Sequence, residues 1–214
     1  MYALLPLNSS VSGKYKRIER PRKMMLWTEQ WKEGELVVPI KPGEDLIGDT
    51  IVLGDFGLAH KAGAPAQKIQ SPATYCAPKR AHDTNPSYGS DIGSYICIFF
   101  QLYTGTLLFP GWNHNSVMSS IVSTLGPLLE SWKGTYHVNG SGEDKWYDQN
   151  GQLDPGFDLK RRITQLRPDV GVRKLELLVA TLRRGLVYQH DQRITAAVLL
   201  ENDLFRRMMS TLVK

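Results

Sequence analysis

Residues 51–63 read IVLGDFGLAHKAG, an apolar, β-branched run that closes on a carboxylate set between Gly54 and Gly57. β-Branched residues followed by turn chemistry predict a strand that gives way to a tight exit. Two readings of Asp55 stand side by side. It is the polar end of a strand with no further role, or it is held out to grip something. The flanking glycines suit the second reading, because a backbone without Cβ atoms lets the carboxylate swing without obstruction.

Before this stretch, residues 1–48 sustain no period. The basic segment KYKRIERPRK (14–23) reads as a loop, and GELVVPI as a short strand ended by Pro39. After it, residues 60–90 are rich in Ala, Pro, Ser and Gly and form a long loop, a kind of segment that in compact domains is usually functional or disordered. From Ser90 the pattern turns helical. SDIGSYICIFFQLYTG has Ser90 as its N-cap and Gly105 as its stop. Ile92, Tyr95, Ile96, Ile98, Phe99, Leu102 and Tyr103 leave it no polar face, which predicts a helix at the centre of a domain. NSVMSSIVSTLGP predicts a second helix that stops at Gly126-Pro127. Residues 131–171 read as loop-rich. RKLELLVATLRRGLV predicts an amphipathic helix with Leu175, Leu178, Val179, Leu182 and Leu186 on one stripe, and TAAVLLENDLFRRMM a final helix or pair of turns capped by Thr195.

Composition bounds the function class. With 214 residues, 42% hydrophobic and 22% charged, the chain is long enough for one domain or two small ones of a globular protein. Two cysteines, Cys76 and Cys97, make no disulfide framework, and the expectation is a reduced, intracellular protein of cytoplasm or nucleus. MYALLPLNSS lacks the basic leader of a signal peptide. YICIFFQLYTGTLLF is shorter than the roughly 20 residues of a membrane span, so no membrane association is expected. The net charge of +5 equals that of residues 14–23, six bases against one acid. No aromatic interleaving accompanies that run, and it reads as a solvated surface rather than a nucleic-acid site. The five histidines show no metal-ligand spacing, and the five tryptophans read as packing residues.

A lone Asp-Phe-Gly occurs by chance, but here it has ordered company. Tyr75-Cys76-Ala77-Pro78-Lys79 ends 24 positions after Asp55, Asp91 opens the apolar helix 12 positions later, and Arg193 lies near the end in QRITAAVLLENDLF. This order resembles the second half of a protein kinase domain, over about residues 50–207. Asp55-Phe56-Gly57 then corresponds to the nucleotide and metal-binding motif, Ala77-Pro78-Lys79 to the end of the activation segment, Asp91 to the start of the central helix and Arg193 to the late arginine. The stretch before Asp55, with LGPLLESWKG and WYDQN, is similar to a fungal group related to SR-protein kinases; an insertion common in that group accounts for residues 14–48.

The resemblance implies an α+β, mostly α-helical fold: residues 1–48 as a loop-rich insertion or lead-in, and residues 49–214 as a kinase-like C-terminal lobe lacking the N-terminal lobe and the catalytic loop. It implies Mg2+ held by Asp55, ATP alongside Phe56 and Gly57, and transfer of the γ-phosphate to serine or threonine hydroxyls of a protein substrate. The chain holds no Gly-rich loop, no Val-Ala-x-Lys strand and no His-Arg-Asp loop with its Asn. No catalytic residue is assigned, little or no catalysis is expected, and the alternative is a pseudokinase-like module that binds partners without turnover. An apolar surface left by the other lobe invites a partner or self-association. Three positions depart from the family pattern: Lys79 replaces a glutamate that pairs with the late arginine, Gly93 a tryptophan, and Pro72 a threonine. Lys79 is expected to snorkel away from Arg193 or to find an acid such as Asp83.

Overall fold

The computed structural model describes residues 2–4, 10–24, 37–52, 54, 56–59, 61, 64, 72–82, 85–136 and 154–210. Asp55, Asp83, the first half of GELVVPI, the WYDQN segment and Trp27, Trp31 and Trp146 lie outside the described residues. The architecture is mostly helical with little strand. Two compact units divide the chain, Met1–Ala59 and His60–Lys214.

In the first unit, strands β1 (Tyr2–Leu4) and β2 (Ile47–Ile51) pair antiparallel, Tyr2 opposite Ile51 and Leu4 opposite Ile47, with an irregularity between. β2 therefore runs across the 48/49 boundary drawn from the sequence. Helix α1 (Val11–Ile18) lies between the strands in sequence, so the first half of the basic run is helical rather than a loop. Ser10 supplies the cap that the loop reading overlooks, its hydroxyl accepting from the Gly13 amide at 3.2 Å. Arg17 pairs with Asp45. Val37 makes an isolated bridge to Lys23. Leu46 is the one residue of this unit buried among those described.

The second unit is a helical lobe around one apolar core. Its helices are α2 (Tyr88–Thr104), α3 (His114–Leu125), α4 (Leu159–Leu166), α5 (Val172–Gly185), α6 (Ala196–Glu201) and α7 (Asp203–Ser210). α2 starts two residues before the serine expected to cap it. Ser87 is the N-cap, and Ser90 sits one turn in, its hydroxyl accepting from the Ser87 amide at 3.1 Å. Gly105, at φ +76°, ends the helix in the left-handed region that glycine adopts without steric cost. The α5 stripe is as expected: Leu175, Leu178, Val179, Leu182 and Leu186 are all buried.

Two features differ from the sequence reading. Residues 131–171 are not all irregular, since α4 forms within them, capped by the Asp158 carboxylate accepting from the Arg161 amide at 2.9 Å. And α2 is not buried all round. Ile96, Cys97, Phe99, Phe100 and Tyr103 enter the core, while Tyr88, Tyr95, Ile98 and Leu102 face outward.

The core helices are pinned at the C-terminal end of α2, where backbone carbonyls have no partner within the helix. Arg167 donates to the Tyr103 carbonyl at 2.9 Å, lies 4.5 Å from the Tyr103 ring centroid and forks onto Asp169 at 2.9 and 2.7 Å. Arg162 donates to the Leu107 and Leu108 carbonyls at 2.9 and 2.7 Å. Arg167 ties the exit of α4 to the last turn of α2, and Arg162 ties α4 to the α2–α3 connection, each through charge-assisted bonds. No helix among the described residues is long and apolar enough to cross a membrane.

Candidate functional site

The sequence singles out Asp55, Phe56, Gly57, Ala77–Lys79, Asp91 and Arg193. The structure brings two of these together in one knot at the N-terminal end of α2.

Lys79 lies in the turn Pro78–His82, and its side chain is 1% exposed. Its ammonium donates to the Ser87 hydroxyl at 2.8 Å, so a buried cation holds the cap residue of α2. Arg193 enters the same place from the other side of the chain. Its Nε donates to the Val187 carbonyl and its Nη1 to the Gly89 carbonyl, both at 2.6 Å. Arg193 is buried too. Gly93 makes room here: a Cβ on it would lie 2.8 Å from Arg193 Nη1, so the guanidinium occupies space that a larger residue would fill.

Two cations at one helix N-terminus oppose each other and the helix dipole. Burial, then Arg193 and then Arg80, lower the Lys79 pKa to about 8, against a favourable pull from Asp191. Burial, Lys79 and Arg193 also lower that of His190, and Asp191 again opposes them. The expectation that Lys79 snorkels outward is therefore corrected. Its partner is a hydroxyl eight residues on, which accepts the bond but supplies no countercharge.

Tyr75 is fastened to α2. The Tyr75 hydroxyl donates to Gln101 Oε1 at 2.5 Å, and the Ser94 hydroxyl donates to the Tyr75 carbonyl at 2.6 Å. Asp91 stands exposed on the outer face of α2.

Phe56 and Gly57 belong to the first unit, in the turn Phe56–Leu58, and both are exposed. Asp55 lies outside the described residues. Neither the phenyl ring nor the glycine offers a metal ligand, and no group of three or more His, Cys, Asp or Glu gathers among the described residues. Among the described residues no nucleotide or Mg2+ site is assembled.

His82 does not stand out in the sequence, yet it organises the region behind Lys79. Its ring stacks on Trp132 at 4.9 Å and meets Tyr136 edge-on at 5.4 Å, while Nδ1 lies 3.0 Å from the Pro78 carbonyl. Trp132 also meets Tyr188 at 5.8 Å. Trp132 packs as expected of the tryptophans, whereas Trp112 is fully exposed.

No protein-family model matches the chain. The chain is kinase-like at the level of a distant sequence relationship to a serine/threonine kinase. One such relative is serine/threonine-protein kinase PITSLRE of Drosophila melanogaster, 28% identical over 162 residues, which make up 73% of this chain and 16% of the relative. The chain thus spans about 16% of the length of this curated relative.

Proposed function

We propose that residues 49–214 form a protein-kinase-like C-terminal lobe of serine/threonine type that binds a protein partner without turning over ATP. The observation that carries the reading is that Lys79 on Ser87 and Arg193 on Gly89 both hold the start of α2, two positions 114 apart in sequence that the kinase resemblance pairs. The ancestral reaction is transfer of the ATP γ-phosphate to a protein hydroxyl, with Asp55 as the Mg2+ ligand. One carboxylate is too little for it. Phosphoryl transfer also needs a lysine on the α- and β-phosphates, a base for the substrate hydroxyl and a second metal ligand, which the 214 residues do not contain in recognisable form. The finer likeness to the SR-protein-kinase-related group rests on LGPLLESWKG and WYDQN.

The test is phosphotransfer from radiolabelled Mg-ATP to serine- and arginine-rich and generic basic protein substrates by the full chain. The expected result is no incorporation above an enzyme-free control. Transfer that is lost in Asp55→Ala would show an active kinase and overturn the non-catalytic reading.

A further inference from the structure

The start of α2 gathers positive charge that the fold does not answer. The Lys79 ammonium has three donors, is buried and gives one hydrogen bond, to the Ser87 hydroxyl. It makes no ion pair among the described residues. Arg193 is bound to the Gly89 carbonyl, and His190 lies against the same glycine, where an added Cβ would come within 3.1 Å of its own. Arg80 also acts on Lys79, and the acid that opposes these cations there is Asp191, which is exposed. A buried cation without a countercharge is costly to hold. What the place lacks is a negative charge at Ser87.

The group that faces the ammonium can be made to carry one. Ser87 Oγ lies 2.8 Å from Lys79 Nζ, on a residue that is half-buried and followed by the exposed Tyr88. It caps a 17-residue helix, whose N-terminal end favours an anion. A phosphate ester there brings about −1.5 to −2 charges at pH 7 and three acceptor oxygens to the unused donors of Lys79. A free oxyanion is less well served, because Lys79 is 1% exposed, whereas an ester on Ser87 is delivered by its own covalent bond. We infer that Ser87 is a phosphorylation site whose phosphate pairs with Lys79 and locks the Pro78–His82 turn onto the start of α2. The donor is a nucleoside triphosphate bound to a separate kinase. The Ser87 Oγ–P bond forms as the γ-phosphorus parts from the bridging oxygen of the diphosphate, and the hydroxyl proton passes to that enzyme's base. The inference stands on the Lys79–Ser87 contact and does not need the kinase-like reading.

The experiment compares the full chain with and without phosphoserine placed at position 87 by genetic encoding, each also carrying Lys79→Met. The phosphate is expected to raise the melting temperature by about 3–8 °C, and most of that rise is absent in Lys79→Met. Its 31P titration midpoint falls below the ordinary value of about 6 and returns towards it in Lys79→Met, a change that a merely structural effect would not produce. Phosphopeptide mass spectrometry of the chain taken from its own cells finds phosphate on Ser87. A phosphorylated chain that melts lower or no longer cooperatively, an equal rise in Lys79→Met, an unshifted 31P midpoint, or an unmodified Ser87 in cells would overturn the inference. So would stabilisation of the unmodified chain by inorganic phosphate, against chloride at equal ionic strength, that Lys79→Met removes, because a free oxyanion would then fill the place.

Discussion

Lys79 is the residue where chemistry and fold conflict most openly. Its charged form is disfavoured in the fold, with a pKa of about 8 against 10.5 in the unfolded chain, because it is buried beside Arg193. Below pH 8 the lysine is protonated in both states and the full cost is present. As pH rises from 8 to 10.5 the folded state releases its proton first, so this cost fades. Holding the charge there costs on the order of a few kcal/mol net at neutral pH, the Ser87 hydrogen bond included. Lys79→Met is therefore expected to stabilise the lobe by about 1–3 kcal/mol at pH 7, and the gain over wild type should shrink by pH 10.5 in paired urea titrations. A constant difference across that range would place the ammonium in solvent. Lys79→Glu should stabilise by about 1–3 kcal/mol at pH 7 through Arg193, and combining it with Arg193→Ala should remove the gain. Cys97 offers a separate check, since burial pushes its thiol up to about 12. Its alkylation at pH 8 should await unfolding, and prompt labelling by mass spectrometry would show the lobe opening locally.

Among the elements, α5 against α2 shows how much of the fold the sequence discloses. The five-residue α5 stripe is legible because apolar residues recur at helical spacing and every one of them packs. Gly185 is less legible as a contact. A Cβ there would overlap the Ile96 side chain, so the α2–α5 crossing is as close as a bare backbone allows. Gly185→Ala should cost about 1–3 kcal/mol by overpacking, and most of that cost should vanish in an Ile96→Ala background, measured as a double-mutant cycle. Additive costs would separate the two helices. α4 escapes the sequence reading for a compositional reason: LKRRITQL is mostly polar, and only Leu159 and Ile163 are buried. Its signal is the Asp158 cap with apolar residues four apart. The outward face of α2 is illegible for the opposite reason, because a helix apolar on every side does not say which side is covered. Likewise, no pattern announces that Lys79 is buried on Ser87, a contact that exists only once the Pro78–His82 turn folds over the start of α2.

For the whole molecule, the helical character and a kinase-like order are readable from spaced motifs, and the distant sequence relationship to a serine/threonine kinase supports a kinase-like relationship at the coarse level. What the motifs leave open is whether the chain works on nucleotide. If the helical lobe is a binding element, Asp55 alone cannot recruit Mg-ATP, since magnesium is held through substrate phosphates and more than one anchoring group. The most direct test is a titration of the full chain with Mg-ATP while its thermal unfolding is followed. A ligand that binds only the folded state raises the melting temperature once its concentration exceeds its dissociation constant. A non-catalytic lobe predicts no shift at micromolar Mg-ATP and at most a small one at millimolar concentrations, equal in Asp55→Ala. A clear rise at micromolar Mg-ATP that Asp55→Ala abolishes would contradict it.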